Sequence, residues 1–140
     1  MTATPVGFAA FPQTDHVAES LGMEVLDDTP GRAVLQMRVR QDMLNGFAIT
    51  HGGIVFALAD GCFALTCNQD IGKELMVAQH CEIDYLSPTM EGDLLVARGN
   101  LVHRGRRAGV YDVTVSAVTD DGERTIAIFR GRCRALPQRG

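Results

Sequence analysis

The segment from Ile54 to Cys67, IVFALADGCFALTC, holds a single charged residue, Asp60. At 1.5 Å per residue the run makes a helix of roughly 21 Å. Its apolar side chains do not keep to one stripe but run all round, which marks a helix buried on most sides. With 140 residues the chain has room for one domain, residues 1–140, and can bury a core without staples. The rest of the chain must therefore wrap this helix.

The flanking segments read as strands. Arg32 to Val39 alternates, with Ala33, Leu35, Met37 and Val39 on one face and Arg32, Gln36 and Arg38 on the other; Val34 is the exception. A weaker strand-like run spans 22–28, and Thr29-Pro30-Gly31 reads as the turn joining the two into a hairpin. Ahead of them a short helix is expected from about Asp15 to Leu21, capped by Thr14 or Asp15 and ended by Gly22. After Gly72 come four more strand-like runs, near 76–86, 94–103, 109–119 and 125–133. The third puts Tyr111, Val113, Val115 and Ala117 on one side. Asp120-Asp121-Gly122-Glu123 signals a hairpin turn, and 87–93 a longer one. This order predicts an α+β fold, an antiparallel sheet wrapped around one long central helix. One helix covers one face only, so self-association is expected to hide remaining apolar area and the sheet edge. Flexibility is expected at about 1–14 and 135–140.

Composition narrows the function. Apolar residues make up 46% and the net charge is -4, which argues against a nucleic-acid partner. The four cysteines show no CxxC and no zinc-like spacing, so no metal or cofactor is expected, and they read as reduced core residues of a cytoplasmic protein. The N-terminus lacks a basic n-region, and no apolar run is long enough to span a membrane.

Asp60 is costly to place inside an apolar helix without partners. It is either a structural acid, held by backbone donors or an arginine, or a functional one. Gly61 beside it costs helix stability and suggests that another group comes close. His51-Gly52-Gly53 stands where loop becomes helix, and the free N–H groups there attract an anion or developing oxyanion. A tight turn alone would also explain the glycines, and Asn45 beside Gly46 would serve as a turn residue. Taken together, Asn45, His51, Gly52 and Asp60 offer a donor to a carbonyl oxygen and a carboxylate two turns along the same helix, the two groups that thioester hydrolysis needs. Arg104, Arg106 and Arg107, within His103–Arg107, offer forked donors suited to phosphate, or else a solvated hairpin tip.

The pattern Asn45-Gly46, His51-Gly52-Gly53, Ala57-Leu58-Ala59-Asp60 resembles the hotdog thioesterases of the phenylacetate-degradation (PaaI-like) group. The likeness continues through Asn68, VAQHCEIDYLSPTMEGD and HRGRRAGVYDVTV, covering about residues 20–133. It implies a hotdog fold, a homodimer or dimer of dimers (a homotetramer), and sites shared between subunits. It further implies hydrolysis of an aryl-acetyl or hydroxyphenylacetyl-CoA substrate. Asp60 would be base or nucleophile, Gly52 the backbone donor, and Asn45 and His51 supporting polar groups. A serine that orients water in some relatives aligns with Ala78, with Gln79 as a candidate replacement. Gly53, Phe47, Phe63 and Tyr85 are candidate substrate contacts, and Arg104, Arg106 and Arg107 candidate coenzyme A contacts. Two alternatives compete: a non-catalytic acyl-CoA-binding hotdog domain, and a hotdog hydratase or dehydratase using a His–carboxylate pair.

Overall fold

The structure, a computed structural model, describes Phe11, residues 13–69 and residues 74–136. Most of the terminal segments expected to be flexible lie outside these residues, although Ala135 closes the last strand. Helix α1 spans His16–Ser20, and Asp15 caps it by accepting a hydrogen bond from the Ala18 N–H at 3.0 Å. Strands β1 (Glu24–Thr29) and β2 (Arg32–Arg38) form the expected hairpin. Gly31 turns it at φ +78°, a left-handed value that favours glycine.

A 3-10 turn at Gln41–Met43 and a loop lead to α2, Gly52–Cys67. The helix starts at Gly52 rather than Ile54, because His51 caps it and draws both glycines into the first turn. Strands β3 (Met76–Tyr85), β4 (Leu94–Arg104), β5 (Ala108–Thr119) and β6 (Gly122–Ala135) follow. The six strands form one antiparallel sheet in the order β1-β2-β4-β5-β6-β3, leaving β1 and β3 at its edges.

The sheet closes on α2 with the side chains that alternation assigned to it. Ala33, Leu35, Met37, Val39, Tyr111, Val113, Val115 and Ala117 are all buried against Leu58, Ala59, Cys62, Phe63 and Leu65. This is the hotdog arrangement. Val34, on the other face, is also buried. Phe63 sets how closely helix and sheet approach. Its ring lies 5.7 Å from that of Phe129 and 6.0 Å from that of Tyr111. A Cβ at Gly131 of β6 would stand 2.7 Å from the Phe63 ring, so only glycine leaves room.

Asn68 ties the far end of α2 to the edge strand. Its amide donates to the Met76 carbonyl at 2.9 Å and its oxygen accepts from the Met76 N–H at 2.8 Å. The cysteines are free thiols, three of them buried. No helix among the described residues is long and apolar enough to cross a membrane.

Gly131→Ala forces the Phe63 ring off its seat and should destabilise the fold by about 1–3 kcal/mol in urea unfolding. Gly46→Ala, with nothing within 4 Å of its added methyl, should shift stability by less than about 0.5 kcal/mol. Equal losses at both positions would contradict this packing.

Candidate functional site

The start of α2 is held from several directions. The His51 N–H donates to the Met43 carbonyl at 2.8 Å, and the His51 imidazole Nδ1 accepts from the Gly53 N–H at 3.1 Å. The His51 carbonyl accepts from Ile54 and Val55. That leaves the Gly52 N–H with no acceptor among the described residues, and of the two glycine donors it is the free one. Thr50 and Thr89 lock the preceding loop: the Thr50 N–H reaches the Thr89 carbonyl at 2.8 Å, and their buried hydroxyls meet at 2.7 Å. Sequence reasoning missed this pair, since neither threonine stands in a recognisable pattern.

Tyr85, at the end of β3, closes over the helix start. Its hydroxyl donates to the Gly52 carbonyl at 2.8 Å, and a Cβ on Gly52 would lie 3.2 Å from its ring. The room that glycine leaves here is taken by the phenol. Asn45 shapes the loop through its side-chain oxygen, which accepts from the Phe47 N–H at 2.9 Å and the Ile49 N–H at 3.4 Å. These bonds hold a tight turn in which Ala48 adopts φ +61°. Such a backbone costs an alanine on the order of 1 kcal/mol. Phe47 projects from the turn, 86% exposed. A cleft of about 400 Å³ is bounded by Asn45, Gly52, Val55, Tyr85 and Thr89.

Asp60 opens onto a different cleft, of about 350 Å³, walled by Phe63, Asn68, Met76, Val77 and Ala78. Its carboxylate has no hydrogen bond and no ion pair among the described residues. Burial pushes its pKa above the ordinary 3.8, and the nearby charge of Asp15 adds to the rise. The group expected to approach at Gly61 is Met23 of the same chain, whose Sδ would lie 3.4 Å from an added Cβ.

The candidates therefore gather in two places. Asn45, Gly52 and Tyr85 line one cleft; Asp60 and an edge of Phe63 line the other. Phe63 is otherwise a core residue, 1% exposed. Gly53 is exposed at the helix start with its N–H committed to His51. Gly52 and Asp60 are eight residues apart on one helix, about 12 Å at 1.5 Å per residue. No single carbonyl touches both in one chain. Ala78 walls the Asp60 cleft, and Gln79 is the bulged residue where the β3–β6 register shifts. Arg104 is committed through Nη1 to the Tyr111 hydroxyl at 3.1 Å, while the exposed Arg106 and Arg107 side chains have no ion-pair partner among the described residues.

Comparison with known proteins bears on this geometry. Residues 47–123 match the family model described as the thioesterase superfamily. The chain is 38% identical over 127 residues to the acyl-coenzyme A thioesterase PaaI of Escherichia coli strain K12, covering 91% of this chain and 87% of that protein. The structure of the Escherichia coli PaaI protein superposes with a TM-score of 0.85 at 36% identity, covering 94% of this chain and 91% of that one. A Streptococcus mutans protein, smu.793, solved bound to acetyl-CoA, superposes with a TM-score of 0.75 at 25% identity, covering 84% and 91%. The chain belongs to the thioesterase superfamily and is a hotdog-fold thioester hydrolase of the PaaI-like group.

Proposed function

We propose that the protein hydrolyses acyl-CoA thioesters of the aryl-acetyl or hydroxyphenylacetyl type, with Asp60 driving the reaction and the Gly52 N–H receiving the carbonyl oxygen. One observation carries this reading: a carboxylate with a raised pKa, and with no partner among the described residues, opens onto a cleft. The acyl-CoA substrate is supported by the name of the PaaI relative and by the acetyl-CoA complex of the Streptococcus mutans protein.

The two reacting groups come together only if a second copy of the chain is added. Strand β3 lies at the sheet edge with one side of its ladder free. Its Tyr85 end touches Gly52, and its Met76–Ala78 end walls the Asp60 cleft. A two-fold, antiparallel pairing of β3 with β3 sets one copy's Gly52 end beside the other's Asp60 cleft. The assembly that buries the edge thus completes two equivalent sites; a dimer of dimers would repeat them.

In such a site the Gly52 N–H polarises the thioester carbonyl at a helix N-terminus. Asp60 takes a proton from water, whose oxygen bonds to the carbonyl carbon; the C–S bond then breaks and the thiolate leaves with the proton. Direct attack by Asp60, followed by hydrolysis of the anhydride, uses the same groups. His51 and Asn45 act through the backbone, capping the helix and shaping the loop that presents Phe47. Phe47, Tyr85 and the edge of Phe63 offer aromatic surface to an aryl group, with Gly53 beside them. Arg106 and Arg107, with Arg104 behind them, face the coenzyme phosphates.

The alternatives fit less well. A pure binder gains nothing from an unpaired carboxylate at its cleft, and a hydratase needs an imidazole beside it, whereas His51 is occupied as a helix cap.

Asp60→Asn should cut thiol release from phenylacetyl-CoA by at least about 100-fold; retention of activity, or water addition to an enoyl-CoA, would refute the reading. The acid limb of kcat/KM should fall above pH 3.8, because activity appears only as the raised carboxyl ionises. The same shift has a stability consequence. Well below pH 3.8 the carboxyl is neutral folded and unfolded; as pH rises from there through its folded-state value, ionisation weakens the fold. Asp60→Asn should therefore resist urea better than wild type at pH 8 and lose that advantage as pH falls below 3.8. No difference at pH 8 would show that Asp60 is not strained by burial.

A further inference from the structure

The geometry points to Cys67 and Cys133 as a redox pair: a small hydroperoxide entering by the Asp60 cleft converts the two thiols to a disulfide, which fastens the last turn of α2 to β6. The site is separate from the thioester chemistry and does not rest on it.

Strand register builds one side of the site. Along β6, Cys133 is buried between exposed Arg132 and Arg134. It pairs with Ala78 of β3 and Gly109 of β5, and Gly109 pairs with Arg104 of β4. A Cβ on Gly109 would lie 3.4 Å from both the Cys133 Sγ and the Arg104 Cδ, so glycine lets the arginine stem lie close to the thiol. The guanidinium continues to the Tyr111 hydroxyl at 3.1 Å and the Met76 Sδ at 3.8 Å.

The helix supplies the other side. Cys67 ends α2 and lines the Asp60 cleft beside Met76 and Ala78, the β3 partner of Cys133. The Asn68 amide donates to the Cys67 Sγ at 3.6 Å and to the Met76 carbonyl at 2.9 Å. Met76 therefore touches both the amide that holds Cys67 and the arginine beside Cys133. Within this frame the two thiols hydrogen-bond to each other.

Charge makes the pair reactive. The hydrogen bond from Cys67 brings Cys133 down to about 7, with the Arg104 charge helping against burial, and the same bond pushes Cys67 up. Arg104 favours a negative charge on either sulfur, so near neutral pH the two sulfurs share one proton. Cys62 on the same helix is the contrast. Its sulfur faces the Ala33 and Ala97 carbonyls at 3.5 and 3.6 Å, and burial pushes it up to about 12.

Proton transfer across the S–H···S contact places the charge on Cys67, at the cleft wall. That sulfur bonds to the outer oxygen of the hydroperoxide and the O–O bond breaks. The leaving oxygen takes a proton from water; the hydroperoxide is reduced and Cys67 is oxidised to a sulfenic acid. The Cys133 sulfur then bonds to the Cys67 sulfur, the S–O bond breaks, and the hydroxyl leaves as water with the Cys133 proton.

The test treats the full chain with hydrogen peroxide near neutral pH, alkylates the remaining thiols in urea and maps the peptides. Cys67 and Cys133 should be found linked, with Cys62 alkylated. The urea midpoint of the oxidised protein should rise and return with dithiothreitol, because the bond closes a long loop. Cys67→Ser and Cys133→Ser should show no such rise, and Cys62→Ser should oxidise as wild type does. Arg104→Gln should slow the oxidation roughly tenfold, since the thiolate is the attacking form. Absence of the link, an unchanged midpoint once it forms, or an Arg104→Gln rate equal to wild type overturns the proposal. Should Cys133→Ser not fold, Cys67→Ser gives the same control, and the wild-type peptide map decides alone.

Discussion

Everything in this structure depends on the seating of α2 in the curve of the sheet, with the Phe63 ring pressed into the space left at Gly131. Apolar burial against β2, β4 and β5 fixes the helix, and the helix carries Asp60 with it. No counter-charge among the described residues meets Asp60, and burial, with the charge of Asp15, raises its pKa. The packing that stabilises the fold therefore also raises the pKa of the acid it carries.

The helix is pinned to the edge strand at both ends. Tyr85 holds Gly52 at one end of β3, and Asn68 holds Met76 at the other. Such a frame does not let Gly52 and Asp60 approach each other, since they are separated along a rigid helix by about 12 Å. It does place one at each end of the same free strand edge. The geometry that keeps the two groups apart within one chain is the geometry that, in the symmetric pair proposed above, would build two sites.

Much of this was legible in the residues. The alternation of Ala33, Leu35, Met37 and Val39, and of Tyr111 to Ala117, reported the buried faces correctly, because a strand with one wet face must alternate. The all-round apolar character of 54–67 reported the central helix. Local spacing was less informative about the site. Asn45, His51 and Gly52 do stand together at the helix start, but Asp60 faces another cleft, and a linear motif carries no sign of a second chain. The Thr50–Thr89 contact links positions distant in sequence. Cys133 alternates with exposed arginines and reveals its alignment with Arg104 only through strand register. Phe63 is both a core ring and an edge of the Asp60 cleft, a double placement that size and hydrophobicity in the sequence do not separate.

Subunit complementation tests the central claim most directly. Asp60→Asn removes the acid; Gly52→Pro removes the N–H at a first helical position, where proline is tolerated. Each variant alone should be inactive. Unfolded and refolded together in equal amounts, they should recover about a quarter of wild-type activity, since half the random pairs are mixed and each mixed pair holds one intact site. A mixture as inactive as its parents, with mixed pairs demonstrated by mass spectrometry, would place both groups of each site in one chain and contradict the account.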